Sequence, residues 1–160
     1  MDQRHSYGTT VVTKAVSAGG GLSHNVQSVV LLASAGVEKD SPTADSLRVD
    51  GGAGQVYASQ SSQDQVADWG RVGSGRRDPR DESFGANVFS SEGDAAHRLK
   101  PTDGHDVLGY GSDRGGFFSR HATAGQGYLN MHTEAINNTA AAAPRLGGNI
   151  NRGTRLGKGW

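Results

Sequence analysis

Large aliphatic side chains run together at one place in this chain, LSHNVQSVVLLASAGV at residues 22–37. Val26, Val29, Val30, Leu31 and Leu32 are gathered there, and everything beyond Val37 is diluted by Gly, Ser, Asp and Arg. Any core has to start from this run. Read as a helix, Leu22, Val26, Val29, Val30, Ala33 and Val37 share a face, with Ser23 as N-cap and Gly36 near the C-terminus. Read as a strand, residues 28–33 are short, partly β-branched and apolar on both faces, which suits a strand covered on both sides. Gly19, Gly20 and Gly21 separate this run from the Thr- and Val-rich residues 9–16, as a hairpin connection would. That favours two strands over a helix.

Composition makes such a core hard to build. Leu, Ile, Val and Phe together fall just below roughly 20% of the chain, the level under which disorder becomes a serious reading. The large net charge that usually accompanies disorder is missing, because 16 basic residues balance 16 acidic ones. Glycine, at 25 of 160 residues, is well above its usual share of about 7%. Each ordered glycine gives up more conformational freedom than any other residue. The length suits one domain. Without cysteine there is no disulfide and no thiolate chemistry. Residues 1–8, MDQRHSYG, carry no apolar segment behind their charges, so no secretory signal is expected. No run approaches the roughly 18 apolar residues that a membrane span requires. The expected location is intracellular, or within a virion or other assembled particle.

Along the chain, residues 46–59 read as a hairpin. Leu47 and Val49 alternate with polar neighbours on one side of a Gly-rich turn, and Val56 and Ala58 do so on the other. Residues 60–65 read as a Ser/Gln linker, followed by one short apolar turn at Val66, Trp69 and Val72. Residues 71–82, with Arg76, Arg77 and Arg80 among Asp78, Asp81 and Glu82, are the most loop-like part. Short strands are predicted at 84–89 and 106–110, with irregular backbone through 104–127. The best helix is 128–143, where Tyr128, His132, Ala135, Ile136, Thr139, Ala140 and Ala143 share a thin face before Pro144 stops it. The fold expected is therefore mainly β and irregular, a Gly-rich extended chain with one C-terminal helix; a small α+β domain is the runner-up. Residues 1–144 would form a single β-leaning domain or extended segment, and 145–160 a basic arm.

No motif specifies a chemistry. Residues 103–116, DGHDVLGYGSDRGG, gather His105 with Asp103, Asp106, Asp113 and Arg114. A hydrolase can use a His–Asp pair in which the carboxylate orients the imidazole. Neighbours in sequence rarely point at one another, however, and no nucleophile motif of G-x-S-x-G type is present. The six histidines lack metal-ligand spacing, and no calcium loop or phosphate loop is found. No cofactor, metal or small-molecule ligand is indicated. Arg145, Arg152, Arg155, Lys158 and Trp160 form a basic, aromatic-tipped tail of the kind that anchors to a partner.

Sparse core and absent motif together lead to a non-enzymatic structural protein, ordered by assembly with a large particle or with copies of itself. A virion decoration protein and a polymer subunit both fit. Two alternatives stay open: a nucleic-acid-binding module using the basic arm and the Arg71 to Arg80 loop, and a small hydrolase built around His105 and Asp106.

Overall fold

The computed structural model describes residues 2–17, 26–39, 43–50, 52–109, 125–143 and 153, with only the backbone of residues 2–4. The central apolar run does form a strand, β2 (Val29–Leu32). It lies between β1 (Asp2–His5) and β3 (Val56–Ser59), with β4 (Asn87–Val88) beyond β3. Every neighbouring pair is parallel, in the order β1-β2-β3-β4. Parallel neighbours cannot be joined by a tight turn. Helix α1 (Gly8–Ser17) follows β1, α2 (Gln65–Ser74) follows β3, and α3 (Glu134–Ala141) comes last.

All four residues of β2 are buried, and they alternate between two cores. Val29 and Leu31 pack with Val12 and Val16 of α1, Val56, Ala58 and Phe84. Val30 and Leu32 pack on the opposite face with Phe89, Tyr128 and Ala135 of α3. Side chains along a strand point alternately to opposite faces, so a strand covered on both sides needs apolar residues throughout. The unbroken VVLL run is the consequence.

The mainly β, irregular fold is contradicted, and so is its α+β runner-up: the chain is an α/β structure built on a parallel sheet. Residues 9–16, expected as a strand, are helical. Thr9, Val12, Thr13 and Val16 are buried at helical spacing, and their packing overrides the strand preference of Thr and Val. The threonine hydroxyls are satisfied. Thr13 donates to the Thr9 carbonyl at 3.0 Å, Thr10 to the Gly36 carbonyl at 2.6 Å, and Thr9 pairs with Ser34 at 2.6 Å. Buried hydroxyls with partners carry little penalty. A count of large aliphatics therefore understates what this interior uses.

The hairpin expected at 46–59 is absent as well. Leu47 and Val49 are buried in the first core without forming a strand, and β3 pairs with β2 in parallel. Residues 71–82 are not an open loop, since α2 runs to Ser74 and ends on Gly75 in the left-handed region at φ 62°. The strand expected at 84–89 is reduced to β4, and residues 106–109 form none. The predicted C-terminal helix starts late. Thr133 caps α3 by accepting from the Ile136 amide at 3.3 Å, so Tyr128 and His132 precede the helix. Gly19 to Gly21, Pro144 and the arm residues Arg145, Arg152, Arg155, Lys158 and Trp160 lie outside the described residues. No described helix is long and apolar enough to cross a membrane.

Candidate active site

The chain leaves β1 at His5 and enters α1 at Gly8. That sharp reversal places Ser6 at a φ of 56°, a conformation that non-glycine residues hold only where the surroundings enforce it. Here they do. The Ser6 amide donates to the Leu32 carbonyl at 3.1 Å, and the Ser6 carbonyl accepts from the Thr9 amide at 3.1 Å and the Thr9 hydroxyl at 2.7 Å. The serine thereby sits at the carboxyl end of a parallel sheet, where open α/β sheets bind ligands.

Asp64 arrives from the carboxyl end of β3. It is the N-cap of α2, with its Oδ1 accepting from the Ala67 amide at 3.1 Å. Its side chain is fully buried, and every contact of its carboxylate is a donor. Besides Ala67, Oδ2 accepts from the Tyr128 hydroxyl at 3.0 Å, and that hydroxyl accepts in turn from the Ser61 amide at 2.8 Å.

His105 lies on the segment after β4. The segment is tied to residues 126–129 by the Asp103 amide on the Gln126 carbonyl (2.9 Å), the Tyr128 amide on the Asp106 carbonyl (3.0 Å) and the Leu129 amide on the Val107 carbonyl (2.8 Å). Held so, His105 Nδ1 meets Asp64 Oδ1 and Oδ2 at 2.9 and 3.0 Å, and its Nε2 meets the Ser6 hydroxyl at 2.9 Å.

Electrostatics fix the roles. Burial alone would push the Asp64 carboxyl up, but the hydrogen bond and charge of His105, the Ala67 amide and the Tyr128 hydroxyl outweigh it and hold it below the ordinary value. Burial, and then the nearby Asp64 charge, push the Tyr128 hydroxyl well above its ordinary range, so it stays a donor. An ionised Asp64 keeps the His105 proton on Nδ1. That leaves Nε2 to accept from Ser6 Oγ. Ser6, His105 and Asp64 thus form one hydrogen-bonded line, in the chain order Ser, Asp, His, an arrangement that can carry a proton away from a serine.

His105 lies in the site, but the acid it meets is Asp64 rather than the Asp106 expected from sequence. Asp106 is exposed, and its backbone carbonyl rather than its carboxylate is engaged by Tyr128. Asp103 accepts from the Gln126 amide at 2.7 Å, while Asp113 and Arg114 lie outside the described residues. Ser6 escaped notice because Arg4 stands where the first glycine of G-x-S-x-G belongs; the remaining half, Ser6-x-Gly8 before a helix, was the available signal. Asp64 was hidden in the Ser/Gln-rich stretch 60–65, where a helix N-cap was its only mark. Among the described residues no group of three or more His, Cys, Asp or Glu is placed to hold a metal ion.

The nucleic-acid alternative loses two of the four arginines of its Arg71 to Arg80 loop. Arg71 is buried and pairs with Asp68 and, at 3.1 Å, with Asp78, while Arg80 pairs with Asp78 at 2.7 Å. Those charges are spent within the chain.

A family model described as alpha/beta hydrolase matches residues 3–74, a stretch that holds Ser6 and Asp64 and ends before His105. No curated protein and no solved structure matches the chain. The family match overturns the expected non-enzymatic assembly protein, along with its virion and polymer-subunit forms.

Proposed function

We propose that the chain is a serine hydrolase that cleaves carboxylic esters or similarly activated acyl compounds through an acyl-Ser6 intermediate. The observation that carries this reading is the unbroken hydrogen-bonded line from Asp64 through His105 to Ser6, with the serine on a strained strand-to-helix turn. The partial likeness to alpha/beta hydrolases supports it.

In the proposed reaction His105 Nε2 takes the Ser6 proton as Oγ bonds to the acyl carbon. In this scheme the developing oxyanion is assigned to the Tyr7 amide, the donor that follows the nucleophile, and to the positive end of α1. Asp64 stabilises the imidazolium. His105 then returns the proton to the leaving oxygen as its bond to carbon breaks. Water, deprotonated by the same imidazole, then bonds to the acyl carbon, and the imidazolium gives that proton to Ser6 Oγ as the bond from carbon to Oγ breaks and the acid leaves.

Hydrolysis of a series of p-nitrophenyl esters, from acetate to octanoate, tests the proposal. The expected result is saturable turnover that falls by at least about 10³-fold in Ser6→Ala. Turnover that survives Ser6→Ala unchanged, or no turnover at all, overturns it.

A further inference from the structure

His5 is the last residue of β1 and the neighbour of Ser6, and the relay just described leaves it without a role. Its ring centroid lies 4.7 Å from that of His105, the planes tilted by 48°, and 5.7 Å from the Tyr128 ring in an edge-on arrangement. Offset and edge-on pairs of this kind are the favourable ones. The imidazole of His105 is therefore gripped from two sides. Asp64 and Ser6 hold its nitrogens, and the His5 ring stands beside it. His5 Nε2 is buried and has no hydrogen-bond partner among the described residues. No partner at that nitrogen compensates for the hydration a positive charge on this ring would lose, and the backbone hydrogen bond at His105 and the Asp64 and Asp106 charges compensate only in part.

We propose that His5 is a positioning residue for His105 and the acid-sensitive element of the site. The neutral ring is the platform that keeps the catalytic imidazole aimed at Ser6, and a protonated His5 opposes the positive charge that His105 must acquire. The inference rests on the hydrolase reading above. The groups facing His5 bear it out. Burial, and then repulsion from His105, lower its pKa from the ordinary 6.5, against the raising effects of a backbone hydrogen bond at His105 and the Asp64 and Asp106 charges. Tyr128, held protonated, adds no charge. His5 is thus neutral at ordinary pH and takes up its proton only below 6.5.

The test is the pH profile of p-nitrophenyl ester hydrolysis by the intact chain and by His5→Phe and His5→Ala, with circular dichroism to establish folding. In the unaltered chain kcat/KM should fall on the acid side and steepen to a two-proton slope as pH drops through the lowered His5 value. His5→Phe keeps an aromatic platform that cannot charge. It should retain kcat within about threefold at pH 8, with the acid limb reduced to one proton. His5→Ala removes the platform and should lower kcat by about 10- to 100-fold, with KM little changed. A two-proton limb persisting in His5→Phe, or full kcat in folded His5→Ala, overturns the role of His5 while leaving the hydrolase reading intact. Absence of turnover in the unaltered chain overturns the hydrolase reading, and the role of His5 with it.

Discussion

The Tyr128 hydroxyl donates to Asp64 Oδ2 at 3.0 Å while accepting from the Ser61 amide at 2.8 Å. A side chain from just before α3 therefore locks both the carboxylate that orients His105 and the backbone leading to it. Tyr128→Phe keeps the ring and removes both bonds, leaving a buried amide unpaired. The expected loss is about 1–3 kcal/mol of stability in urea unfolding. About tenfold lower ester turnover should accompany it, as Asp64 gains freedom.

Asp64 combines two duties, helix cap and, in the proposed reaction, the acid that orients His105, and these can be separated. Asn also caps helices, so Asp64→Asn should leave α2 and the folding midpoint nearly unchanged. It removes the charge that selects the His105 tautomer, so kcat should fall by about 10⁴-fold. Asp64→Ala should in addition lose about 1 kcal/mol through the missing cap. Ester kinetics beside denaturant melts would check both.

The backbone at Ser6 gives a prediction independent of any substrate. With φ at 56°, a β-carbon is strained there and glycine is not. Ser6→Gly should be about 1 kcal/mol more stable than Ser6→Ala, although both are inactive. Equal midpoints in denaturant would remove the strained turn from the description of the site.

Stability should depend on pH in a defined direction. His5 is held below 6.5 chiefly by burial, so the unfolded chain takes up that proton first as pH falls. The stability that neutral His5 contributes is then present above 6.5 and is lost as pH falls toward its folded value. Burial pushes Asp64 up, but its hydrogen bonds and the His105 charge outweigh this and hold it below 3.8. Its share is present above 3.8 and is lost at still lower pH. Thermal melts across this range should decline in two stages, and His5→Phe should abolish the first.

Arg71 donates from Nη1 to the Ser34 carbonyl and to Gln60 Oε1, both at 2.6 Å, besides its pairing with Asp68 and Asp78. Arg71→Ala should destabilise by roughly 3 kcal/mol, the low end for a broken buried pair, since Arg80 still engages Asp78. If Arg71 were instead a surface charge for binding phosphate, melts of the variant would match those of the unaltered chain.

Part of this was legible before any coordinates. VVLL suited a strand covered on both faces, though a helix through residues 22–37 also fitted it, and β2 is that strand. His105 stood out among acidic residues and glycines, and it is in the site. What misled was chemistry that depends on distance. Gly19 to Gly21 look like a hairpin connection whether the preceding segment is strand or helix. Thr9 and Thr13 count as strand formers until Ser34 and the neighbouring helical carbonyls are there to receive their hydroxyls. The acid that orients His105 is 41 residues upstream, while Asp106 lies adjacent and is not used. Residue adjacency carried no information about which carboxylate the folded chain would supply. Ser6 carried half of a recognisable motif, and Arg4 in the glycine position concealed it.

The most direct measurement is covalent labelling of the folded protein with a fluorophosphonate, followed by mass spectrometry of the peptide that contains residue 6. A serine activated by His105 should take one phosphonyl group at Ser6, and the adduct should disappear in His105→Ala and after heat denaturation. A folded chain in which Ser6 stays unmodified, or reacts equally well without His105, would show that the line from Asp64 to Ser6 does not make a nucleophile.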